Sequence, residues 1–327
     1  MLTDAAWFLA GLTVLAVGSE VMVRGATGLA SRLGISPIVI GLTVVSIGTS
    51  MPELAVGVIA VGEGSGALAV GNIAGTNVVN VLLILGLSAL LVPLALQMRT
   101  IRSELPVMAG VALLFWLLAA DGHLSRLDGI ILVVCAVGYT VAVVWSARRE
   151  SRQVALEFAD EFGPGAVGTV TTGTRGAVMD VVMTVGGIAL LVVGADWLVD
   201  GAVGVSRQLG VSDALIGLTV VAIGTSAPEL MTTVVSTLRG DRDVAIGNLI
   251  GSSVYNILLI LGLTCLVAAD GIALPASLVR IDIPIMVTVA LACVPIFLSG
   301  RRVSRGEGGA MVVAYVVYLG FLLSTQT

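Results

Sequence analysis

Charge is scarce in this 327-residue chain: Asp, Glu, Lys and Arg together make up 11% of it, against roughly 25% in an ordinary soluble domain. So few charged groups could not solvate a globular surface of this size, which excludes a cytosolic enzyme. Lysine is missing altogether, and all 16 basic residues are Arg. A net charge of −5 without a basic patch argues against nucleic-acid binding. His123 is the only histidine, so neither a multi-histidine metal centre nor a histidine-based catalytic triad is expected. Cys135, Cys265 and Cys293 stand alone in apolar stretches. They form no metal-ligand spacing, and an odd number makes no disulfide framework, so they read as small buried apolar residues. What abounds is apolar: 57% of residues are hydrophobic and the mean hydropathy is +1.09. That excludes disorder and leaves a polytopic membrane protein.

Apolar runs of about 17 to 25 residues mark membrane helices. Ten are expected, near 5–23, 36–62, 66–92, 104–120, 126–146, 177–199, 210–238, 244–268, 280–298 and 309–324. A run of this length satisfies its own backbone in lipid only as a helix, and the short alternating strands of a barrel are not seen. The N-terminus lacks a basic region and Asp4 stands in its place, so the first run is expected to be a retained span. With the N-terminus outside, thirteen Arg fall in cytoplasmic loops and only Arg126, Arg207 and Arg280 outside. This bias places both termini outside and the loop 147–176 in the cytoplasm, in the plasma (inner) membrane. That loop reads as a linker with some helix. Trp7, Trp116, Trp145 and Trp197 lie near span ends, as interfacial anchors do.

Residues 18–88 align with 194–264 at a constant offset of 176, with 35 identities in 71 positions. The matches include Gly, Thr, Ser, Pro, Glu and Asn, which apolar bias alone does not produce. The fold class expected is therefore all-α and polytopic: ten transmembrane helices as two five-helix repeats, 1–146 and 177–327, joined by 147–176. An odd number of spans per repeat inverts the second relative to the first. Inverted repeats are typical of secondary transporters, with the binding site near the midplane between the repeats.

Two polar segments sit mid-span: Gly48-Thr49-Ser50-Met51-Pro52-Glu53 and Gly224-Thr225-Ser226-Ala227-Pro228-Glu229. Pro52 and Pro228 have no amide hydrogen for the carbonyls of Gly48 and Gly224, so each helix should kink there and free backbone oxygen. Glu53 lies one turn from Thr49, and Glu229 one turn from Thr225. One turn before Ser50 and Ser226 stand Ser46 and Ala222. In the next helices, Asn72, Thr76 and Asn80 form a stripe that Asn248, Ser252 and Asn256 repeat. Asn72 and Asn248 read equally as helix caps or as ligands. Carboxylates, hydroxyls and amide carbonyls are hard donors. They suit calcium, which takes six to eight oxygens, better than zinc, copper or iron, which more often recruit His or Cys. Buried carboxylates are costly in a membrane, and no mid-span Arg offsets these two. Each must be protonated, hydrated or paired with a cation.

At these residues the chain resembles the calcium/cation antiporter superfamily, of the sodium/calcium exchanger type. Its two alpha-repeats are matched by GTSMPEL with GNIAGTNVVN, within 36–90, and by GTSAPEL with GNLIGSSVYN, within 212–266. The resemblance implies a monomeric unit binding Na+ and Ca2+ in turn at one central site, with no cofactor and with the ions and the lipid bilayer as partners. It implies Glu53 and Glu229 as ligands to both ions. Thr49, Ser50, Thr225 and Ser226 would give hydroxyl or backbone oxygen, Ser46 and Ala222 backbone carbonyls, and Thr76, Asn80, Ser252 and Asn256 would complete the set. Asn at both 80 and 256 resembles the potassium-independent branch. The function implied is Na+/Ca2+ antiport by alternating access. The alternatives are H+/Ca2+ antiport within the same superfamily and, from a different class, an intramembrane hydrolase using two acids.

Overall fold

A computed structural model of the chain describes residues 2–33, 35–95, 103–162, 174–209, 222–300 and 302–326. The start of the expected seventh span (210–221, with Gly217) and the Gly/Thr-rich part of the expected linker (163–173) lie outside the described residues. The described structure is helical: α1 (Leu2–Leu33), α2 (Ile38–Gly62), α3 (Gly66–Leu91), α4 (Leu105–Leu118), α5 (Arg126–Phe162), α6 (Thr174–Gln208), α7 (Ala227–Arg239), α8 (Arg242–Val267), α9 (Leu278–Phe297) and α10 (Arg305–Gln326). A short helical turn, Ala222–Thr225, precedes α7. Seven helices (α1, α2, α3, α5, α6, α8 and α9) carry segments long and apolar enough to cross a membrane, and α4 is a shorter apolar helix. α5 runs on to Phe162, so the first half of the expected linker is helical.

The outer faces of the peripheral helices are apolar. Val134, Val137 and Val141 on α5, and Val313, Val316 and Val317 on α10, are each more than half exposed. Valine rows facing outward are unfavourable in water and natural against acyl chains. The core lies inside: α3 and α8 contribute Ile73, Val78, Ile84, Val254, Tyr255 and Leu261, packed with Phe115 of α4 and Leu132 of α5.

α1 and α6 form the most extensive helix pair. Glycines let their backbones touch: a Cβ added at Gly11 would lie 2.4 Å from Leu198 N, and one at Gly187 would lie 2.5 Å from Met22 N. Each end is fastened. Arg32 forms an ion pair with Asp180, and Gln208 Nε2 donates to Asp4 Oδ2 at 2.7 Å. Asp4 and Asp180 are separated by the repeat offset, as are Arg32 and Gln208.

The same exchange of partners recurs elsewhere. β1 (Leu94–Ala95) pairs antiparallel with β4 (Arg302–Val303), and β2 (His123–Leu124) with β3 (Ile272–Ala273). α10 packs on the end of α3 as α5 packs on the end of α8. Glycines sit at both crossings, Gly86 against Gly308 and Gly262 against Gly129.

Candidate cation-binding site

The helix containing Glu53 and the one containing Glu229 are interrupted in the same way. Ser50 has φ −85° and ψ 9°, and Ser226 has φ −84° and ψ 5°; both ψ values are far from the helical −42°. Helix restarts at Met51 and at Ala227, with proline in the first turn of each, where the missing N–H is not needed. The interruption therefore falls two residues before each proline, where the sequence suggested a kink at the proline itself. Glu53 and Glu229 become the third residues of restarted helices. Their carboxylates stand at the positive end of the backbone dipole.

The helices that follow carry a matching irregularity. α3 is π-helical over Val79–Ile84 and α8 over Asn256–Leu261. A π-turn widens the helix by a residue and frequently marks a functional position. Here it begins beside Asn80 and at Asn256. A third π-turn, Gly41–Val45, lies one turn before Ser50.

Ser46, Thr49, Ser50, Glu53, Thr76, Asn80, Thr225, Ser226, Glu229, Ser252 and Asn256 are all buried. Ala222 opens the turn before α7. Several of these residues join the two repeats. Ser50 Oγ donates to Glu229 Oε1 at 3.2 Å. Thr49 Oγ1 lies 3.2 Å from Asn248 Oδ1 and 3.4 Å from Ser252 Oγ. The Ser46 hydroxyl donates to Gly41 O at 2.6 Å and lies 3.0 Å from Asn248 O. The Ser46 carbonyl accepts from Ser50 N at 3.1 Å. Among the described residues, neither Glu53 nor Glu229 takes part in an ion pair.

Asn72 and Asn248 are not caps, since α3 starts at Gly66 and α8 at Arg242. Asn248 is a bridge: its Oδ1 accepts from Thr49 and its Nδ2 donates to Thr233 Oγ1 at 3.3 Å. The sequence held the stripe but no sign of this partner on α7.

What marks the centre chemically is what remains unpaired. Both carboxylate oxygens of Glu53, Oε2 of Glu229, Oγ1 of Thr76 and the amide groups of Asn80 and Asn256 are buried with no hydrogen-bond partner among the described residues. Native structures rarely leave such groups unsatisfied without a reason, and in lipid the penalty is harsher. These atoms are oxygen-rich and acidic, with no thiolate or imidazole among them. That is the donor chemistry of Na+ or Ca2+.

The chain is similar to known proteins in both sequence and fold. A family model described as sodium/calcium exchanger protein matches residues 3–145 and 179–324. The putative antiporter CaxA of Alkalimonas amylolytica is 37% identical over 328 residues, covering 99% of this chain and 100% of the relative. The sodium/calcium exchanger MaX1 of Methanosarcina acetivorans is 32% identical, covering 95% and 96%. In three dimensions the chain is similar to the sodium/calcium exchanger from Methanococcus jannaschii, with a TM-score of 0.82 at 27% identity and 98% of each chain covered.

Proposed function

This chain belongs to the sodium/calcium exchanger protein family, and on that footing we propose that it exchanges Na+ for Ca2+ at one site between Glu53 and Glu229. It is a multi-pass membrane protein of an antiporter family, with the fold of transporters. The hydrolase alternative has nothing further to recommend it.

The observation that carries the proposal is the set of unpaired, buried oxygens at Glu53, Glu229, Thr76, Asn80 and Asn256. Two carboxylates balance one divalent or two monovalent cations. A filled site is close to neutral and can cross between orientations. An empty, doubly charged site is penalised by the surrounding lipid. Competition for the same carboxylates couples the two ions. Thr49, Ser50, Ser46, Thr225, Ser226, Ser252 and the Ala222 carbonyl complete the proposed site. The proposed architecture is ten transmembrane helices in two inverted halves, 1–146 and 177–327. The loop 147–176 lies in the cytoplasm of a plasma-membrane protein, and both termini lie outside. The exchanged pairings of α1 with α6 and of β1 to β4 support that symmetry.

Purified protein in liposomes loaded with Na+ is expected to take up Ca2+ when external Na+ is removed. Uptake no greater than in Na+-free liposomes, with the protein folded, would refute sodium coupling. The second reading, proton coupling, is favoured by one observation: both oxygens of Glu53 are unpaired and could carry a proton instead of sharing a cation. It requires uptake driven by a pH gradient alone.

A further inference from the structure

The two repeats differ in polarity just beyond their glutamates. On α7, Thr232, Thr233, Ser236 and Thr237 follow Glu229 at +3, +4, +7 and +8, so all four lie on its side of the helix. The equivalent residues after Glu53 are Val56, Gly57, Ala60 and Val61. All four hydroxyl residues of α7 are buried, at 0 to 2% exposure.

Among the described residues, three of the four hydroxyls, those of Thr232, Ser236 and Thr237, have no partner. Some other buried hydroxyls of the fold are satisfied within their own helix. Thr43, Thr264 and Ser253 are also buried in helices, and each donates to the carbonyl four residues back. On α7 the hydroxyls forgo that bond. Ser88 is buried and unpartnered as well, on the part of α3 that α7 packs against. Eight residues of helix span about 12 Å, which carries the polar face from mid-membrane to the end of α7. There Arg239 is held by Glu20 of α1 at 2.6 Å and by Asp241 at 3.3 Å.

We propose that the hydroxyl face of α7 is a one-sided passage through which a partly hydrated cation moves between Glu229 and the membrane face where α7 ends. The proposal rests on the reading of Glu229 as a cation ligand. Neutral hydroxyl oxygens can replace some of a cation's water without trapping it, because α7 itself carries no carboxylate between Glu229 and its end. The Arg239–Glu20 pair closes the far end. The corresponding face of α2 is apolar and offers no such route.

The test uses full-length protein in liposomes. Removing three hydroxyls with Thr232→Val/Ser236→Ala/Thr237→Val should lower maximal Ca2+ flux at least about tenfold, as expected when hydrogen bonds to a charged species are lost. Thermal stabilisation by Ca2+ should stay at the wild-type level, because the site itself is untouched. Thr288→Val, whose hydroxyl already serves Pro284 O, should keep wild-type flux. Undiminished flux in the triple variant overturns the passage. Wild-type protein showing neither flux nor stabilisation by Ca2+ refutes the reading of the site instead. If the triple variant does not fold, Ser236→Cys decides. A cationic methanethiosulfonate applied from the α7-end side should modify it and block flux, while Ala60→Cys reacts no more than wild type. Failure to modify Ser236→Cys, or equal modification of Ala60→Cys, overturns the proposal.

Discussion

Glu53 and Glu229 each sit at the start of a helix, buried, with no cationic side chain among the described residues paired to them. Replacing either by Gln removes a charge but keeps the shape and most of the hydrogen-bonding capacity. Exchange should fall to background in both variants, while the melting temperature without Ca2+ stays near wild type and the stabilisation by Ca2+ disappears. Parallel flux and thermal-shift measurements test this, and wild-type exchange in either variant would remove that residue from the site. At this scale the sequence was highly informative. A carboxylate midway along an apolar run has few structural explanations, and the duplication showed which polar neighbours accompany it. The role of Asn248 was hidden, because its partners Thr49 and Thr233 lie on different helices and meet only through packing.

Among helices, the seam between α1 and α6 depends on glycine at close approach. Gly187 faces Met22, and a Cβ there would lie within 2.6 Å of three of its atoms. Gly186, the next residue back, has open space around it. Gly187→Ala should therefore destabilise the protein by about 1–3 kcal/mol or more through overpacking. Gly186→Ala should be neutral or stabilising by up to about 1 kcal/mol through helix propensity. Thermal unfolding in detergent compares them, and equal effects would mean that the seam can relax. The seam was legible in principle: Gly11, Gly18 and Gly25 recur every seven residues, as do Gly187, Gly194 and Gly201, and a repeat of seven keeps one face against a partner helix. The π-turns were not legible. Apart from Asn80 and Asn256, Val79–Ile84 and Asn256–Leu261 are ordinary apolar helical sequence.

For the molecule as a whole, the Arg distribution implies an orientation that can be measured directly. Glu63 lies between α2 and α3, and Arg242 begins α8; the proposed topology puts the first outside and the second inside. A membrane-impermeant thiol reagent added to intact cells should label Glu63→Cys above the wild-type background. It should reach Arg242→Cys only after permeabilisation. The reverse pattern would invert the topology. The helical class followed from hydropathy, because lipid demands long apolar helices. The pairing of β1 with β4 and of β2 with β3 did not, because two-residue strands leave no pattern in composition.

The contact between α1 and α6 also constrains how the protein can move. At Gly11, Gly187, Gly194 and Gly201, main-chain atoms of one helix rest directly against the other. Neither can slide or roll past its neighbour without a collision at Gly11, Gly187, Gly194 and Gly201. Whatever shifts one of them through the bilayer must carry both as a single strut, and the slippage has to occur at the strut's outer surfaces, where ordinary side chains can give way.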